Sequence, residues 1–99
     1  MNRQDVITRL KSAKPALRER GVAALYLYGS YARDEARPDS DLDILVEFAP
    51  GQDRNLTRYL EPYHLLQDCF PETEIGYGTR ENIVSHYRPY IEKSAIRIF

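Results

Sequence analysis

The stretch GSYARDEARPDSDLD, residues 29–43, decides the fold because it joins two apolar runs through a turn and an acidic segment. The run before it, VAALYLY at 22–28, is too short and too uniformly apolar for an amphipathic helix and predicts a strand buried on both faces. The run after it, DLDILVEF at 41–48, predicts a second strand. Side-chain alternation places its even-numbered residues on the core face, while Asp41 and Asp43 share the opposite face.

Helices are expected on both sides of these strands. Asn2 is a candidate N-cap for a first helix, which Pro15 either ends or follows with a second one before Gly21 stops it. Ser30 is expected to cap a short helix over SYARDEA, residues 30–36. The chain then turns through RPDS into the second strand.

The second half of the chain predicts two more helices and one more strand. Apolar spacing indicates a helix from Leu56 to Phe70, kinked at Pro62. TEIGYGT, at 73–79, predicts a third strand, a last helix is expected over 83–91, and AIRIF ends the chain as an extended tail. This order predicts an α/β fold with a small mixed sheet flanked by helices.

Composition limits the classes of function. The 99 residues predict a single domain, 1–99, too short to carry a separate substrate-binding domain. The 14 basic and 15 acidic residues show no clustered basic excess, so direct nucleic-acid binding is not expected. No long apolar segment or secretion signal is evident, which predicts a cytoplasmic protein without a membrane association, and the single Cys69 excludes an internal disulfide.

The pair Asp41 and Asp43 predicts a metal site. Two carboxylates at positions i and i+2 of a strand face lie about 7 Å apart at their Cα atoms, close enough to share a cation. Residues 29–47 hold two arginines against six acidic residues, so the pair lies in a negatively charged segment. Such a cluster favours a hard divalent cation, and Mg²⁺ fits best where phosphates complete its coordination shell.

The Gly29-Ser30 pair can supply the phosphate side of such a site. Glycine lets the backbone approach an anion closely, and free N–H groups at a helix start can hold phosphate oxygens. Arg33 or Arg37 could add charge-assisted contacts. An Asp-x-Asp pair alone is more often a solvated strand edge, and a Gly-Ser pair alone is usually a turn. Together, at the ends of adjacent strands, they predict a cleft for phosphoryl transfer.

At these residues the sequence resembles a known family. Gly29-Ser30, ten intervening residues and then Asp41-Leu42-Asp43, within LYLYGSYARDEARPDSDLDILVEF at 25–48, resemble the minimal nucleotidyltransferases, or MNT-domain proteins, of the DNA polymerase β-like superfamily. The resemblance implies the polymerase β-like palm fold and Mg²⁺-dependent transfer of a nucleoside monophosphate, AMP from ATP.

The resemblance also implies site roles. Asp41 and Asp43 would be catalytic metal ligands, and Gly29, Ser30, Arg33 and Ser40 would form the nucleotide-binding set. Ser40 would orient the first aspartate or cap the turn.

The same resemblance implies a protein partner. Many such small proteins are antitoxins paired with a HEPN-family toxin, a helical ribonuclease, and some transfer AMP from ATP to a tyrosine of that toxin. The expected assembly is therefore a hetero-oligomer with the toxin. An antibiotic-modifying nucleotidyltransferase would need an additional domain for its acceptor, for which this chain has no room.

Two positions depart from the family pattern. Asp34 stands where the family usually has glycine, in ARDE instead of ARGE. The family's third carboxylate lies on the third strand, and an ungapped alignment from the C-terminal end places Gly76 there. With a two-residue loop insertion, Glu74 would supply that group as a metal ligand or general base, since it lies on the same strand face. The alternative is that the third acid is lost and that the protein neutralises its toxin by binding alone.

Overall fold

The computed structural model describes residues 1–51, 55–79 and 95–99, which form a sheet with helices packed on it. In chain order the elements are α1 (Arg3–Ser12), α2 (Lys14–Glu19), β1 (Val22–Tyr28), α3 (Gly29–Ala32), β2 (Leu42–Phe48), α4 (Leu56–Cys69), β3 (Ile75–Thr79) and β4 (Ile96–Arg97). The helix expected over 83–91 lies outside the described residues.

The sheet is mixed, as the sequence predicts. Its strand order is β3-β2-β1-β4, with β1 antiparallel to both β2 and β4 and with β2 parallel to β3. Parallel strands need a crossover connection, and α4 lies in the segment that joins β2 to β3. The predicted fold class, a small mixed sheet flanked by helices, is confirmed.

One face of the sheet carries the core. The even-numbered residues Leu42, Ile44 and Val46 of β2 are completely buried, as the alternation predicts. Leu45 on the opposite face is buried as well, so that face is not uniformly polar. The helices add completely buried side chains to the same core cluster: Val6, Leu10, Leu17 and Leu66. Each such aliphatic side chain contributes roughly 1.5–3 kcal/mol relative to exposure.

The first helix begins where the sequence predicts. The Asn2 side chain accepts a hydrogen bond from the Asp5 backbone N–H at 2.9 Å, and the Asp5 carboxylate accepts one from the Asn2 N–H at 3.2 Å. This capping box satisfies two backbone donors at the helix start. Pro15 lies in the first turn of α2, so of the two expected roles for this proline the structure shows the opening of a second helix.

The predicted cap at Ser30 is wrong. Helix α3 begins one residue earlier, at Gly29, with Tyr28 in the cap position and no side-chain cap, and it ends at Ala32. The left-handed backbone of Gly29, with φ +72°, lets strand β1 pass directly into the helix without an intervening polar cap.

The helix α3 stops in a Schellman motif. The Glu35 N–H donates to the Ser30 carbonyl at 2.8 Å, and the Asp34 N–H donates to the Tyr31 carbonyl at 3.3 Å. Asp34 has φ +59°, the left-handed conformation that usually selects glycine at this position. The turn therefore survives the replacement of the family's glycine by aspartate.

The extended tail pairs as a strand. Tyr26 and Leu27 of β1 lie opposite Arg97 and Ile96 of β4. This pairing covers the edge of β1 that β2 leaves free, which explains why a short C-terminal segment becomes ordered there.

Candidate active site

Asp43 lies near the start of β2, between residues of both neighbouring strands. It is directly opposite Tyr28 of β1 and Gly76 of β3, so all three positions belong to one face of the sheet. Asp43 is half-buried, whereas Asp41, just before the strand, is exposed. The first residues of β2 therefore hold one carboxylate within the sheet and a second at its entrance.

The two aspartates and Arg33 act on each other electrostatically. Burial raises the pKa of the Asp43 carboxyl above its ordinary value, the negative charge of Asp41 raises it further, and the positive charge of Arg33 lowers it. The Arg33 guanidinium also forms an ion pair with Glu35, with 3.2 Å between Nε and Oε2. The site thus contains a repelling carboxylate pair that one arginine offsets in part.

The Gly29-Ser30 turn lies in contact with Asp43. A Cβ atom built on Gly29 would overlap Asp43 Oδ2 and would lie 3.1 Å from Asp43 Cγ. Strand β1 delivers this turn to the first residues of β2 because the two strands are antiparallel neighbours. The structure therefore brings Asp43, one of the two predicted metal ligands, into contact with the predicted phosphate-binding turn.

Ser40 closes the turn before β2. Its hydroxyl oxygen accepts a hydrogen bond from the Arg37 N–H at 2.8 Å, and its own N–H donates to the Arg37 carbonyl at 2.9 Å. Of the two roles expected for Ser40, the structure shows the turn cap. That cap fixes the chain directly in front of Asp41.

Glu74 lies one residue before β3 and is exposed. Its carbonyl oxygen accepts a hydrogen bond from the Leu42 N–H at 2.8 Å, which anchors β3 to β2. Within residues 1–51, 55–79 and 95–99 no three histidine, cysteine or acidic side chains form a group that could hold a metal ion. The structure does not gather Glu74 with Asp41 and Asp43, and its role as third carboxylate stays a prediction.

The donor set fits a hard divalent cation. Carboxylate oxygens are the ligands that Mg²⁺ prefers, and Mg²⁺ is commonly held by one or two carboxylates together with substrate phosphates. Burial is the main cause of the raised pKa of Asp43, and the charge of Asp41 raises that pKa further. A cation between the two carboxylates would relieve the second, repulsive part. Asp41 and Asp43 are the residues that would hold it.

Tyr28 is a site neighbour that the sequence analysis missed. It is half-buried, and burial together with the nearby Asp43 charge raises the pKa of its phenol. The available signal was its position directly before Gly29, because any turn that brings Gly29 to Asp43 also brings Tyr28 there.

Among the residues that the structure describes, no helix combines the length and the apolar character that a membrane-spanning segment needs.

Sequence comparisons identify relatives over most of the chain. The family model described as a nucleotidyltransferase domain matches residues 10–98. A provisionally named protein adenylyltransferase of Methanocaldococcus jannaschii is 33% identical over 86 residues, which cover 86% of this chain and 82% of that protein. The protein adenylyltransferase MntA of Thermococcus cleftensis is 48% identical over 46 residues, 46% of each chain.

Solved structures share the fold. A protein provisionally described as a minimal nucleotidyltransferase superposes with a TM-score of 0.80 at 26% identity, covering 97% of this chain and 95% of that one. A toxin–antitoxin structure with AMP-PNP gives a TM-score of 0.66 at 18% identity, over all of this chain and 73% of that chain. At that identity the second likeness concerns the fold alone.

Proposed function

Because this chain belongs to the nucleotidyltransferase domain family and is of the minimal type, we propose that it transfers AMP from ATP to a hydroxyl group of a partner toxin. The observation that carries the proposal is the contact between Gly29 and Asp43, which unites the glycine turn and the paired acids in one site. The relatives named as protein adenylyltransferases and the fold likeness to a toxin–antitoxin structure support the acceptor class.

The reaction is a nucleotidyl transfer. The acceptor hydroxyl oxygen forms a bond to the α-phosphorus of ATP, the bond from that phosphorus to the bridging oxygen breaks, and pyrophosphate leaves with the electron pair. The hydroxyl proton passes to water, or to Glu74 if that carboxylate reaches the acceptor. Positioning and charge neutralisation provide most of the catalysis in such transfers.

Each site residue has a defined task in this reaction. Asp41 and Asp43 would hold a divalent cation, Mg²⁺, which would neutralise charge on the triphosphate. Gly29 leaves the backbone accessible to phosphate oxygens, and Ser30 offers a hydroxyl and an amide next to it. The charge of Arg33 lowers the pKa of Asp43, and we expect the same guanidinium to form charge-assisted contacts with the phosphates of a bound nucleotide.

The acceptor is expected to be a toxin of the HEPN family, as the resemblance to minimal nucleotidyltransferases implies. The test is the intact mass of a HEPN-family toxin after co-expression with this protein. We expect the mass to increase by one AMP with the native chain and to stay unmodified with Asp41→Asn/Asp43→Asn. As a matched control, Glu19→Gln/Asp68→Asn removes two exposed charges that take no part in the site interactions described above, and it should leave the modification in place.

A second candidate is neutralisation of the toxin by binding alone. It is favoured by the position of Gly76, which lies opposite Asp43 on β3 where the family pattern has a third acid. An unmodified toxin that is still inhibited, both by the native chain and by the double asparagine variant, would identify this function and contradict the transfer.

A further inference from the structure

We propose that Gly76 is a positioning residue of this site, since the absence of a side chain there leaves the space in which the Asp43 carboxylate lies between β1 and β3. The inference rests on the proposed function in one respect, namely that Asp43 is a cation ligand. Gly76 itself would touch neither cation nor nucleotide and would act through Asp43.

The steric observation concerns both oxygens of Asp43. A Cβ atom on Gly76 would overlap Asp43 Oδ1, and a Cβ atom on Gly29 would overlap Asp43 Oδ2. Gly76 lies directly opposite Asp43 in the parallel register of β2 and β3. The carboxylate thus lies between two glycines, one directly after β1 and one within β3. We call this arrangement the glycine slot, formed by Gly29 and Gly76.

The backbone gives no other reason for glycine at position 76. The described glycines with positive φ are Gly21, Gly29 and Gly51, so Gly76 has a conformation that any residue can adopt. Glycine inside a strand is destabilising, because it loses more conformational entropy on folding than other residues and has no side chain to pack. In this chain, which has no acid at this position, the feature that corresponds to the glycine is the orientation of the Asp43 carboxylate, which lies in the space that a Cβ would fill.

Gly78 provides the internal comparison. It lies on the same strand and the same face as Gly76, and it also lacks a positive φ. A Cβ atom on Gly78 would meet Leu45 Cδ2 at 3.7 Å, an ordinary van der Waals contact. The two glycines of this short strand thus differ in the space available for a Cβ atom, because only Gly76 faces the Asp43 carboxylate.

The slot has a definite consequence for substitution. In Gly76→Ala the overlapping atom is the end of a side chain, so rotation of Asp43 relieves the clash and the fold remains. Rotation moves the carboxylate out of the slot, away from the direction in which it faces the Gly29-Ser30 turn. Variants that disturb the orientation of a metal ligand typically lose about 10–100-fold in metal affinity. The expected signature is an intact fold with weakened cation binding.

The first experiment measures Mn²⁺ binding by water-proton relaxation, with and without ATP. We expect Gly76→Ala to bind Mn²⁺ about 10–100-fold more weakly than the native chain. Gly78→Ala should bind as the native chain does. Equal affinities in the native chain and Gly76→Ala would overturn the inference, and so would an equal loss in both variants, since the loss would then follow from any alanine in β3.

A second experiment separates this inference from the proposed function. Urea midpoints are measured for Gly76→Ala in the native background and in an Asp43→Ala background, where the slot is empty. We expect the change in urea midpoint caused by Gly76→Ala to be more favourable to folding in the Asp43→Ala background than in the native background, because the overlap with the Asp43 carboxylate is then absent. Equal shifts in both backgrounds would overturn the slot. Absence of Mn²⁺ binding to the native chain would instead contradict the proposed function, while the urea comparison still decides the role of Gly76.

Discussion

Tyr28 at the end of β1 lies directly opposite Asp43 on β2, so the two residues form a cross-strand pair beside the Gly29-Ser30 turn. Burial raises the pKa of Tyr28, and the charge of Asp43 raises it further. Burial likewise raises the pKa of Asp43, with Asp41 as the second cause. The folded chain therefore disfavours the ionised form of the carboxylate that it places at the centre of its site.

Asp43→Asn should stabilise the fold at pH 7 when divalent cations are absent. The pKa of Asp43 in the folded protein lies above its ordinary value of 3.8, so the protonated form favours folding. That contribution is complete below the unfolded-state pKa and is lost as the pH rises through the folded-state pKa. Asparagine, which is neutral throughout, avoids this loss.

Urea midpoints of the two proteins as a function of pH check this sign. They should coincide at about pH 3, where aspartate is protonated in both states, and should separate in favour of asparagine at higher pH. A native chain that is more stable than Asp43→Asn at pH 7 without added cations would contradict the electrostatic description of the site.

Gly29→Ala should cost more stability than Gly51→Ala. Both glycines have left-handed backbones, with φ +72° and +83°, so alanine carries a conformational penalty of about 1–2 kcal/mol at either position. Nothing lies within 4 Å of a Cβ on Gly51, whereas one on Gly29 overlaps the Asp43 carboxylate. A Cβ on Gly29 would also lie 3.1 Å from Asp43 Cγ and 3.3 Å from Asp43 Cβ, so rotation of the carboxylate alone does not relieve the contact. The overlap should therefore add about 1–3 kcal/mol, the usual range for overpacking.

The difference between these two variants isolates the contact with Asp43, because the backbone penalty is common to both. Urea denaturation gives the two free energies of unfolding. Equal losses would mean that the Gly29 contact has no energetic weight, and a larger loss in Gly51→Ala would be incompatible with the packing described here.

Asp34→Gly should stabilise the protein. Asp34 occupies the left-handed position of the Schellman motif that ends α3, with φ +59°. Glycine removes the strain of that conformation but increases the entropy of the unfolded chain, which leaves a net gain of about 0.5–1 kcal/mol. Asp34→Asn is the matched control, since asparagine also tolerates this conformation and removes only the charge. If Asp34→Gly were no more stable than Asp34→Asn, the strain at this turn would be negligible.

The strands and the proximity of turn and acids could be predicted because local pattern determines them. The apolar run at 22–28 and the alternation at 41–48 each identify a strand without knowledge of its partners. A connection of this length between them favours neighbouring strands, and that is enough to bring the Gly29 turn close to Asp43.

Features that depend on register or tertiary context could not be predicted. Serine after glycine is typical of a helix cap, but the left-handed Gly29 starts α3 one residue before Ser30. The strand register that pairs Asp43 with Gly76 depends on the crossover connection through α4. The residues next to Asp43 and Gly76 in the sequence therefore do not predict this pairing. The tail at 95–99 carries too few residues for a strand pattern, and its pairing with β1 is a long-range contact.

Ile98→Ala should destabilise the protein strongly although it lies in this tail. Ile98 is only 7% exposed, belongs to the core cluster, and donates its backbone N–H to the Leu25 carbonyl at 2.8 Å. Truncation of such a buried isoleucine leaves a cavity and typically costs about 2–5 kcal/mol. The neighbouring Arg97 is exposed, so Arg97→Ala should stay within about 0.5 kcal/mol of the native chain. Urea denaturation gives the free energy of unfolding of both variants. Similarly small losses in the two would mean that the Ile98 side chain contributes little to the core.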